Sequence, residues 1–592
     1  MLTRLGSHTG NSKRQVKYGP VSQEPSGIID IRQCGSFGMI HFPLLLLLSL
    51  VGCDGYKFLV YSPIFGYSHT NFMGAIADTL TEAGHDVTLL MPIMDTEQEK
   101  KTGVKLTKKI VKVPGDPRVI EMMRYEGEIL KQIWTMEPSI FALMQIATNM
   151  TKSFTFQCEK VFSDEALMKQ LEDEKFDVGI AEAFSICGLG IFDLIKIPAS
   201  IVTFSGVHME AIAAAIGEPI APSYVPGAIA REGDRMSFVG RVKNVIDVVL
   251  DRKFFTNIFE SEISAFRRRF GPQFKGYEVR NEELFVDASY VVTNSNPYLD
   301  YPRPMLHKTV PIGGIAVSID PKKNKLSAEW DALLNERNTT VLVSFGSIAK
   351  SIYMPHKYMN TLLELFESMP DTTFIMKYEE EGSKIADHLP NVHLGTWLPQ
   401  NALLADPRLT VFVTHGGLGS TTELAYQGKP AILIPIFADQ PRNAKMLAKH
   451  GGGIVLTKSA LENSKELRDS LLTIFNDASY SQNAKRLSEM LLNQPIGPKQ
   501  LIIRHSEFAA KFGRLPNLDS YGRQLPFIQY HLLDIILAIA SVIAMTAYVI
   551  FRQRQFTTLT RMVSSFLVAL FTYSLPKELS AVKYQLQTVY YI

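Results

Sequence analysis

The stretch FVTHGGLGSTTELAYQGKPAILIPIFADQ, residues 412–440, joins two apolar runs through a glycine-rich turn and a polar segment. The run at 410–414 predicts a buried strand, and the glycines that follow it predict a tight turn. Residues 420–427 predict a helix, and residues 431–435 predict a second buried strand. Short buried strands that alternate with helices are typical of a parallel sheet covered on both faces, so the stretch predicts a β-α-β unit.

The same alternation extends in both directions from this unit. Residues 295–314 are rich in proline and glycine and predict a linker between two domains. We therefore expect an α/β fold with two facing Rossmann-like domains, at 56–300 and 301–525, and a cleft between them. Further strands are predicted at 56–63, 86–92, 176–183, 341–345, 373–377 and 391–394, and helices at 72–83, across most of 95–175, and at 240–280, 355–368 and 441–449.

The C-terminal end of the chain predicts a membrane anchor. Residues 532–551 form an apolar run long enough to cross a bilayer, and they predict a transmembrane helix at 530–552. Arg552 and Arg554 follow this run, which places the tail at 553–592 in the cytosol. Within that tail, 563–575 is apolar but too short to span, so we expect it on the membrane surface or as an artefact of the sequence.

The N-terminal end predicts secretion of the bulk of the chain. Residues 39–55 have the short apolar core and the small residues of a signal peptide. Residues 1–38 stand before it as a leader or an extension, and Met39 is the expected start. A signal peptide and a C-terminal anchor together predict a single-pass type I protein with both α/β domains outside the cytosol.

Charge and cysteine content narrow the class further. The 61 lysine and arginine residues nearly balance the 59 acidic residues, so nothing favours a nucleic-acid partner. The four cysteines are not spaced as a disulfide framework or as a zinc site. Two of them, Cys158 and Cys187, lie in the mature chain; we expect them buried and free, with a disulfide as the alternative. Asn149 and Asn338 begin glycosylation sequons.

Candidate ligand-binding residues follow five predicted strands. In open α/β sheets, ligands bind beyond the carboxyl ends of the strands. Polar and aromatic groups at several such ends are hard to explain by core packing alone. They are His69 after the first strand; Ser344, Gly346 and Ser347 at the end of 341–345; Trp397 and Gln400 after 391–394; His415 and Gly417 after 410–414; and Asp439 and Gln440 after 431–435.

The glycine turn of the opening stretch predicts a diphosphate site. Glycines such as Gly417 and Gly419 let backbone N–H groups approach a ligand where a helix begins, and a helix N-terminus favours an anion. The hydroxyl of Ser420 and the ring of His415 add donors, while Glu423 can accept hydrogen bonds from the vicinal hydroxyls of a ribose. The stretch lacks the lysine of a P-loop, and no Asp-x-Asp pair indicates a metal. We therefore expect neither a metal nor a cofactor.

The same residues carry a resemblance. The stretch at 412–440, with WLPQNALL at 397–404, resembles the signature of the UDP-glycosyltransferases, in the membrane-bound glucuronosyl- and glucosyltransferase branch of animals, with nematode members nearest in character. The resemblance covers about 56–551. It implies a GT-B fold and residence in the endoplasmic reticulum. Many vertebrate members have Thr-Asn-Gly where this chain has Leu418-Gly419-Ser420, which leaves the detailed phosphate contacts open.

The resemblance also implies a role for each residue of the donor site. Trp397 would stack on uracil, and Gln400 would bond to the nucleoside. Glu423 would bind the ribose, and Asp439 and Gln440 would bind the sugar hydroxyls. The diphosphate would be held by His415, Ser347 and the amides at Gly419 and Ser420.

An inverting sugar transfer needs a base for the acceptor hydroxyl, and histidine suits this work at neutral pH. We expect His69 to be that base, with a carboxylate to fix its tautomer. The family usually has aspartate in the strand at 176–183, where this chain has Glu182, so Glu182 is the expected partner and Asp177 the fallback.

The sequence thus predicts an enzyme that transfers glucuronate or glucose from a UDP-sugar to a small lipophilic acceptor. The acceptor pocket is expected within 95–230. Two alternatives stay open: a UDP-binding membrane protein without turnover, and a UDP-sugar epimerase, which the membrane helix and His69 disfavour. A homo-oligomer is also open. The arginines at 267–269 are expected on a solvated face, with membrane contact as the alternative.

Overall fold

A computed structural model describes residues 55–135, 140–274 and 283–574 of the chain. The predicted leader at 1–38 and almost all of the predicted signal peptide lie outside the described residues. So does the end of the tail after residue 574. The described chain is built on two parallel sheets.

The first sheet has seven strands in the order β3-β2-β1-β4-β5-β6-β7, and every neighbouring pair is parallel. Apart from the edge strand β3, the strands are largely buried, as expected for a sheet with helices on both faces. The order reverses direction between β1 and β4, which creates a crevice at their carboxyl ends. The strands are β1 Lys57–Tyr61, β2 Asp86–Pro92, β3 Lys109–Val113, β4 Val178–Glu182, β5 Ala199–Phe204, β6 Tyr290–Thr293 and β7 Thr309–Pro311.

Eight helices accompany this sheet among the described residues before 300. Short polar side chains cap several of them; for example, Asp116, Asp164 and Ser237 each accept a backbone N–H of the first turn. The helices are α1 Tyr67–Glu82, α2 Pro117–Lys131, α3 Ile140–Ser163, α4 Glu165–Asp173, α5 Cys187–Leu194, α6 Glu210–Ile216, α7 Phe238–Phe270 and α8 Glu283–Asp287, with a 3₁₀ turn at Thr96–Gln98.

The second sheet repeats the same winding with six strands, in the order β10-β9-β8-β11-β12-β13. Its strands also pair in parallel. The order in which successive strands are added to the sheet again reverses, here between β8 and β11. The strands are β8 Thr339–Ser344, β9 Thr372–Lys377, β10 Val392–Gly395, β11 Leu409–Thr414, β12 Ala431–Leu433 and β13 Gly453–Val455. The helices are α9 Ala328–Leu334, α10 His356–Glu367, α11 Gln400–Ala405, α12 Leu418–Gln427, α13 Gln440–Ala448, α14 Ser464–Asn476, α15 Ala478–Leu492 and α16 Pro498–Phe512, with 3₁₀ turns at Ser351–Tyr353 and Lys458–Glu462.

Three elements depart from the sequence-based assignment. The region 95–175 is not helical throughout, because β3 forms the edge of the first sheet there. Strand β7 pairs with β6, so the first sheet continues past the predicted boundary at 300/301. Helix α16 returns to pack Ile502 and Ala509 in the core of the first sheet. These are long-range pairings, which local periodicity does not encode.

The two cysteines of the mature chain form a disulfide, and the expectation that they are free is wrong. Cys158 lies on α3 and Cys187 begins α5, with 5.7 Å between their Cα atoms. Both side chains are fully buried in the core of the first half of the molecule, by which we mean the part built around the first sheet. The second half is the part built around the second sheet. Free and disulfide-bonded cysteines are both commonly buried, so burial does not distinguish them. The tertiary contact between α3 and α5 is what brings the two sulfur atoms together.

The chain ends, among its described residues, in one long apolar helix, α18 Leu533–Ser574. It follows 3₁₀ turns at Pro516–Leu518 and Tyr521–Gln524 and a short helix, α17 Phe527–Tyr530. Helix α18 is long and apolar enough to cross a membrane, and its side chains pack against no core. It continues without a break through Arg552 and the apolar part of the predicted tail.

The remaining surface predictions can be placed on this frame. Arg268 and Arg269 form exposed ion pairs with Glu159 and Glu165, which confirms a solvated face. Asn338 lies exposed in the loop before β8, a suitable place for a glycan. Asn149 lies within α3 and is half-buried. Glycosylation at both sites stays a prediction.

Candidate active site

His69 lies at the crevice of the first sheet. Helix α1 begins at Tyr67, six residues after β1 ends, so His69 stands in its first turn rather than in a loop. The ring atom Nδ1 is 2.7 Å from Oε1 of Glu182 and 2.8 Å from Oγ of Ser205. Both contacts are made to Nδ1, so Nε2 takes part in neither of them.

Glu182 is the last residue of β4, and its side chain is 1% exposed, against 21% for His69. Its Oε1 also accepts the backbone N–H of Ser205 at 3.3 Å, while Oε2 has no hydrogen-bond partner among the described residues. Asp177 is not an alternative partner. It precedes β4 at the opposite end of the strand, where its carboxylate accepts the N–H of Lys57 at 2.7 Å.

Ser205 was not among the predicted site residues. It directly follows β5, the neighbour of β4, so the strand-end rule applied to β5 would have found it.

Aromatic rings surround the imidazole of His69. Phe65 and Phe184 contact it, with ring centroids 4.3 Å and 5.2 Å away. Phe154 and Phe254 extend this cluster through Phe184. Because these rings adjoin the free face of His69, a molecule that reaches the base meets apolar walls.

His415 lies at the corresponding crevice of the second sheet, directly after β11. A Cβ at Gly346 or at Gly417 would stand 2.6 Å from Nε2 of this ring, so only glycine fits at either position. Gly346 also has φ +88°, a conformation that favours glycine. Burial lowers the pKa of His415 to about 4, and the charge of Lys377 acts in the same direction. The ring is therefore neutral at physiological pH.

The N-terminus of α12 provides free donors beside this histidine. Gly417 is the N-cap residue and offers no side-chain acceptor, so the first amides of the helix are uncapped by a side chain. A methyl group on Gly419 would meet no atom within 4 Å, so the space in front of it is open. Open space at an uncapped helix start is suited to an anion. Ser347 lies exposed on the turn after β8, while Ser344 is buried and accepts the N–H of Gly346 at 3.4 Å.

Gln400 and Glu423 meet at the side of this space. The amide nitrogen of Gln400 donates to Oε2 of Glu423 at 2.5 Å and to the hydroxyl of Ser420 at 3.0 Å. Burial raises the pKa of Glu423 to about 7, and the hydrogen bond from Gln400 opposes the rise. Glu423 can therefore change charge near neutral pH.

Lys377 is a cation of this site that was not predicted. It ends β9, is 8% exposed and donates to the carbonyl of Gly346 at 2.6 Å. Its ammonium also lies 3.3 Å from Glu379 and 5.3 Å from the ring centre of Trp397. Lys377 ends the predicted strand at 373–377, so the strand-end rule applied to that strand would have found this residue.

Asp439 and Gln440 stand at the start of α13 and have different hydrogen-bond partners. The carboxylate of Asp439 accepts the side-chain amide of Asn443 at 2.7 Å, and burial raises its pKa. Ala438, just before it, has φ +53°, a strained conformation for a residue with a side chain. The side-chain oxygen of Gln440 is taken by the amides of Ile436 and Phe437. Sugar binding by Gln440 stays a prediction, and its amide nitrogen is the group left for it.

The two crevices face each other. The positive charges of Arg442 and His69 oppose the rise in the pKa of Asp439, so His69 and this carboxylate lie within electrostatic reach of each other across the cleft. Tyr67 stands edge-on to Trp397, with 5.6 Å between the ring centres. Trp397 is 54% exposed. Lys101 lies 5.3 Å from the Trp397 ring on the side of the first half.

Trp134 connects the first half to the turn that follows β8 in the second half. It follows α2, yet it is buried in the core of the second sheet, edge-on to Phe345 at 5.1 Å. Its indole N–H donates to the carbonyl of Lys350 at 2.9 Å. Phe345 and Lys350 flank the turn that carries Gly346 and Ser347. Trp134 thus holds both ends of that turn.

Comparison with known proteins assigns the chain to a family. The sequence model described as "UDP-glucoronosyl and UDP-glucosyl transferase" matches residues 57–565. The chain belongs to this family, and it is a UDP-glycosyltransferase by class.

The related chains and the similar solved structures also bear the names of glycosyltransferases. The chain is 29% identical to the putative UDP-glucuronosyltransferase ugt-47 of Caenorhabditis elegans, over 81% of this chain and 89% of that one. It is 27% identical to UDP-glucuronosyltransferase 1A8 of Rattus norvegicus, over 83% and 90%. The glycosyltransferase of kitacinnamycin superposes with a TM-score of 0.52 at 15% identity, covering 77% of this chain and 99% of that one. A UDP-glucosyltransferase from Polygonum tinctorium gives 0.51 at 15% identity, over 77% and 98%. The predicted GT-B fold is confirmed.

Proposed function

We propose that this protein transfers a hexosyl group, glucuronate or glucose, from a UDP-sugar to a small lipophilic acceptor with inversion at the anomeric carbon. Membership of the UDP-glycosyltransferase family supports the reaction class and the UDP-sugar donor. The observation that carries the mechanism is the contact of 2.7 Å between His69 and Glu182, opposite Asp439 across the cleft.

His69 acts as the general base. Glu182 and Ser205 engage Nδ1, so the Nδ1 proton can be donated to the carboxylate while Nε2 keeps its lone pair. Nε2 takes the proton of the acceptor hydroxyl as the oxygen attacks the anomeric carbon. The bond from that carbon to the β-phosphate oxygen breaks, and UDP leaves with the electron pair. Buried Glu182 stabilises the imidazolium that forms.

The second half holds the donor. The uncapped amides of α12 and the hydroxyl of Ser420 bind the diphosphate, with neutral His415 as a further donor. Lys377 supplies a positive charge at the end of β9, so the leaving group gains a cation from the chain itself. Ionised Glu423 accepts the ribose hydroxyls, and Asp439 accepts those of the sugar. Transfer is then independent of metal, and added chelator leaves the rate unchanged.

Lipophilic acceptors fit the aromatic cluster beside the base. Phe65 and Phe184 contact His69 and are only partly buried, so they can exchange solvent for an apolar acceptor. We place the protein in the membrane of the endoplasmic reticulum with both sheets in the lumen. The disulfide between Cys158 and Cys187 supports an oxidising compartment, and α18 supplies the anchor.

The test is UDP release from membranes that express the full chain. UDP-glucose and UDP-glucuronate are offered separately with a mixture of phenols and steroids, beside His69→Ala and an exposed control, His388→Ala. Release that requires an acceptor, prefers one donor, resists chelator and fails only in His69→Ala supports the proposal. UDP binding without release from any pair would contradict it and would favour a binding protein.

A further inference from the structure

The N-terminal half of α7 carries an apolar face that no described residue covers. The side chains are spaced three and four residues apart, so they form one stripe of about 18 Å along the helix. Each is between 44% and 72% exposed. This outer face consists of Phe238, Val239, Val242, Val245, Ile246, Val249 and Leu250. Contiguous exposed apolar surface of this extent marks an interaction site.

The orientation of α7 is fixed from its other side. Asn244 is 1% exposed, and its side-chain amide nitrogen donates to the carbonyls of Pro222 and Val225 at 2.7 and 2.9 Å. Its side-chain oxygen accepts the N–H of Gly227 at 2.9 Å. Because this buried network is fully used, the helix cannot rotate its outer face inward without breaking several hydrogen bonds.

The apolar outer face ends at Leu250, and polar residues continue along the same side of α7. From Lys253 onward the exposed positions are polar or charged, including Asn257, Glu260, Ser264 and Arg268. A helix that merely faced water would be polar along its whole exposed side. The change from apolar to polar at Lys253 therefore indicates that two different media meet α7.

Positive charge flanks the outer face. Five basic residues from 231 to 253 are exposed, whereas the acidic residues of this stretch are half-buried or buried. Glu232 and Asp234 are engaged by Lys445 and Lys449, Asp247 lies near Arg231 and Lys243, and Asp251 is buried. An apolar stripe with exposed cations beside it is the pattern of a helix that lies in the headgroup region of an anionic membrane. The exposed cations are Arg231, Arg235, Arg241, Lys243 and Lys253.

Helix α7 is connected, through α6, to the turn that precedes the apolar helix. Helix α7 packs on α6, and Gly217 at the end of α6 approaches Arg523 so closely that a Cβ there would lie 2.8 Å from the Arg523 Cβ. Arg523 belongs to the 3₁₀ turn Tyr521–Gln524, and α18 begins at Leu533, nine residues after that turn ends. A bilayer crossed by α18 is thus within reach of this side of the first half.

We propose that the outer face of α7 rests in the headgroup region of the bilayer that α18 crosses, with its apolar side chains among lipid and its flanking cations on anionic headgroups. The first half is then attached to the membrane at two places rather than one. The polar continuation after Lys253 faces the lumen.

The test uses the full chain in vesicles of phosphatidylcholine and phosphatidylserine. The photo-crosslinking residue p-benzoylphenylalanine replaces Val249 or, as a matched control on the same side of α7, Ser264. After illumination, mass spectrometry identifies the adducts, and circular dichroism confirms that both variants are folded. We expect a lipid adduct at 249 in at least about fivefold excess over 264.

Vesicles of phosphatidylcholine alone should lower the yield at 249, because the flanking cations lose their anionic partners. Equal yields at both positions would overturn the proposal. So would adducts at 249 to a second copy of the chain, or no adduct at either position. None of these readouts depends on sugar transfer, so the result is independent of the proposed function.

Discussion

Each half of the molecule presents a histidine at the crevice of its parallel sheet, and the two are built for different work. His69 is partly open to the cleft and has a buried carboxylate, Glu182, on one ring nitrogen. His415 is enclosed by glycine backbone, with no carboxylate among its contacts, and burial holds its pKa near 4. The first arrangement lets a ring gain a proton, and the second prevents it.

The type of residue at a strand end therefore does not define its role. A carboxylate beside an imidazole stabilises the charged form, which a base must pass through. A desolvated ring beside Lys377 remains neutral, so it meets a ligand through the N–H of one ring nitrogen and without a positive charge. Five measurements test whether the two histidines differ in this way.

Replacement of His69 by alanine should have the largest effect. Loss of the general base should lower kcat by about a thousandfold, because the acceptor hydroxyl must then attack without transferring its proton to Nε2. The affinity for UDP, measured by calorimetry, should stay within about twofold, since His69 does not contact the nucleotide site. A variant that keeps its turnover would remove the distinction between the two histidines.

Glu182 tests the source of that distinction. Glu182→Gln keeps the shape and can still orient Nδ1, but it cannot stabilise the imidazolium, so we expect kcat to fall about a hundredfold with donor KM unchanged. Glu182→Asp retains the charge at a longer reach and should lose less. If the aspartate variant were the weaker of the two, orientation rather than charge would be the function of Glu182.

His415 should show the opposite kinetic pattern. His415→Ala removes a neutral donor to the diphosphate, so UDP should bind about ten- to thirtyfold more weakly. Acceptor KM should change little. Titration of His415 should not affect binding above pH 5.5, because its pKa near 4 leaves the ring uncharged there. A fall in UDP affinity at higher pH that disappears in His415→Ala would mean that the ring binds in its charged form.

Glu423 should make UDP binding depend on pH. Burial raises its pKa to about 7, so in the free protein the carboxyl is largely protonated at pH 6 and ionised at pH 8. If the ribose hydroxyls donate to the ionised form, affinity should rise about tenfold between these values and then level off. Glu423→Gln should abolish the dependence. A steady affinity in the parent protein would show that the protonated carboxyl serves equally well.

Trp134 should give the smallest effect. Trp134→Phe keeps a ring against Phe345 but loses the hydrogen bond to Lys350, so donor KM should rise about three- to fivefold with kcat preserved. Trp134→Ala leaves a cavity and should also lower the melting temperature. A phenylalanine variant with the parent donor KM would show that the turn at Gly346 holds its shape without the first half.

Parts of the fold were predictable from local pattern. Apolar runs between glycine turns gave β1, β2, β8 and β11 close to their observed limits, because strands buried on both faces are continuously apolar. The edge strand β3, with the sequence KIVKV, was not found, because half-exposed strands carry charged residues as helices do. The return of α16 to the first sheet depends on contacts distant in sequence.

The sequence by itself determined the two sheets, the apolar helix at the C-terminus and the position of His69 and His415 at strand ends, since these follow from periodicity and the strand-end rule. Tertiary structure brings the expected Glu182, and not the fallback Asp177, to His69, because Glu182 ends β4 whereas Asp177 precedes it at the opposite end. It also decided that Cys158 and Cys187 pair. Local pattern describes a segment, whereas partners are set by the packing of segments that are far apart in the chain.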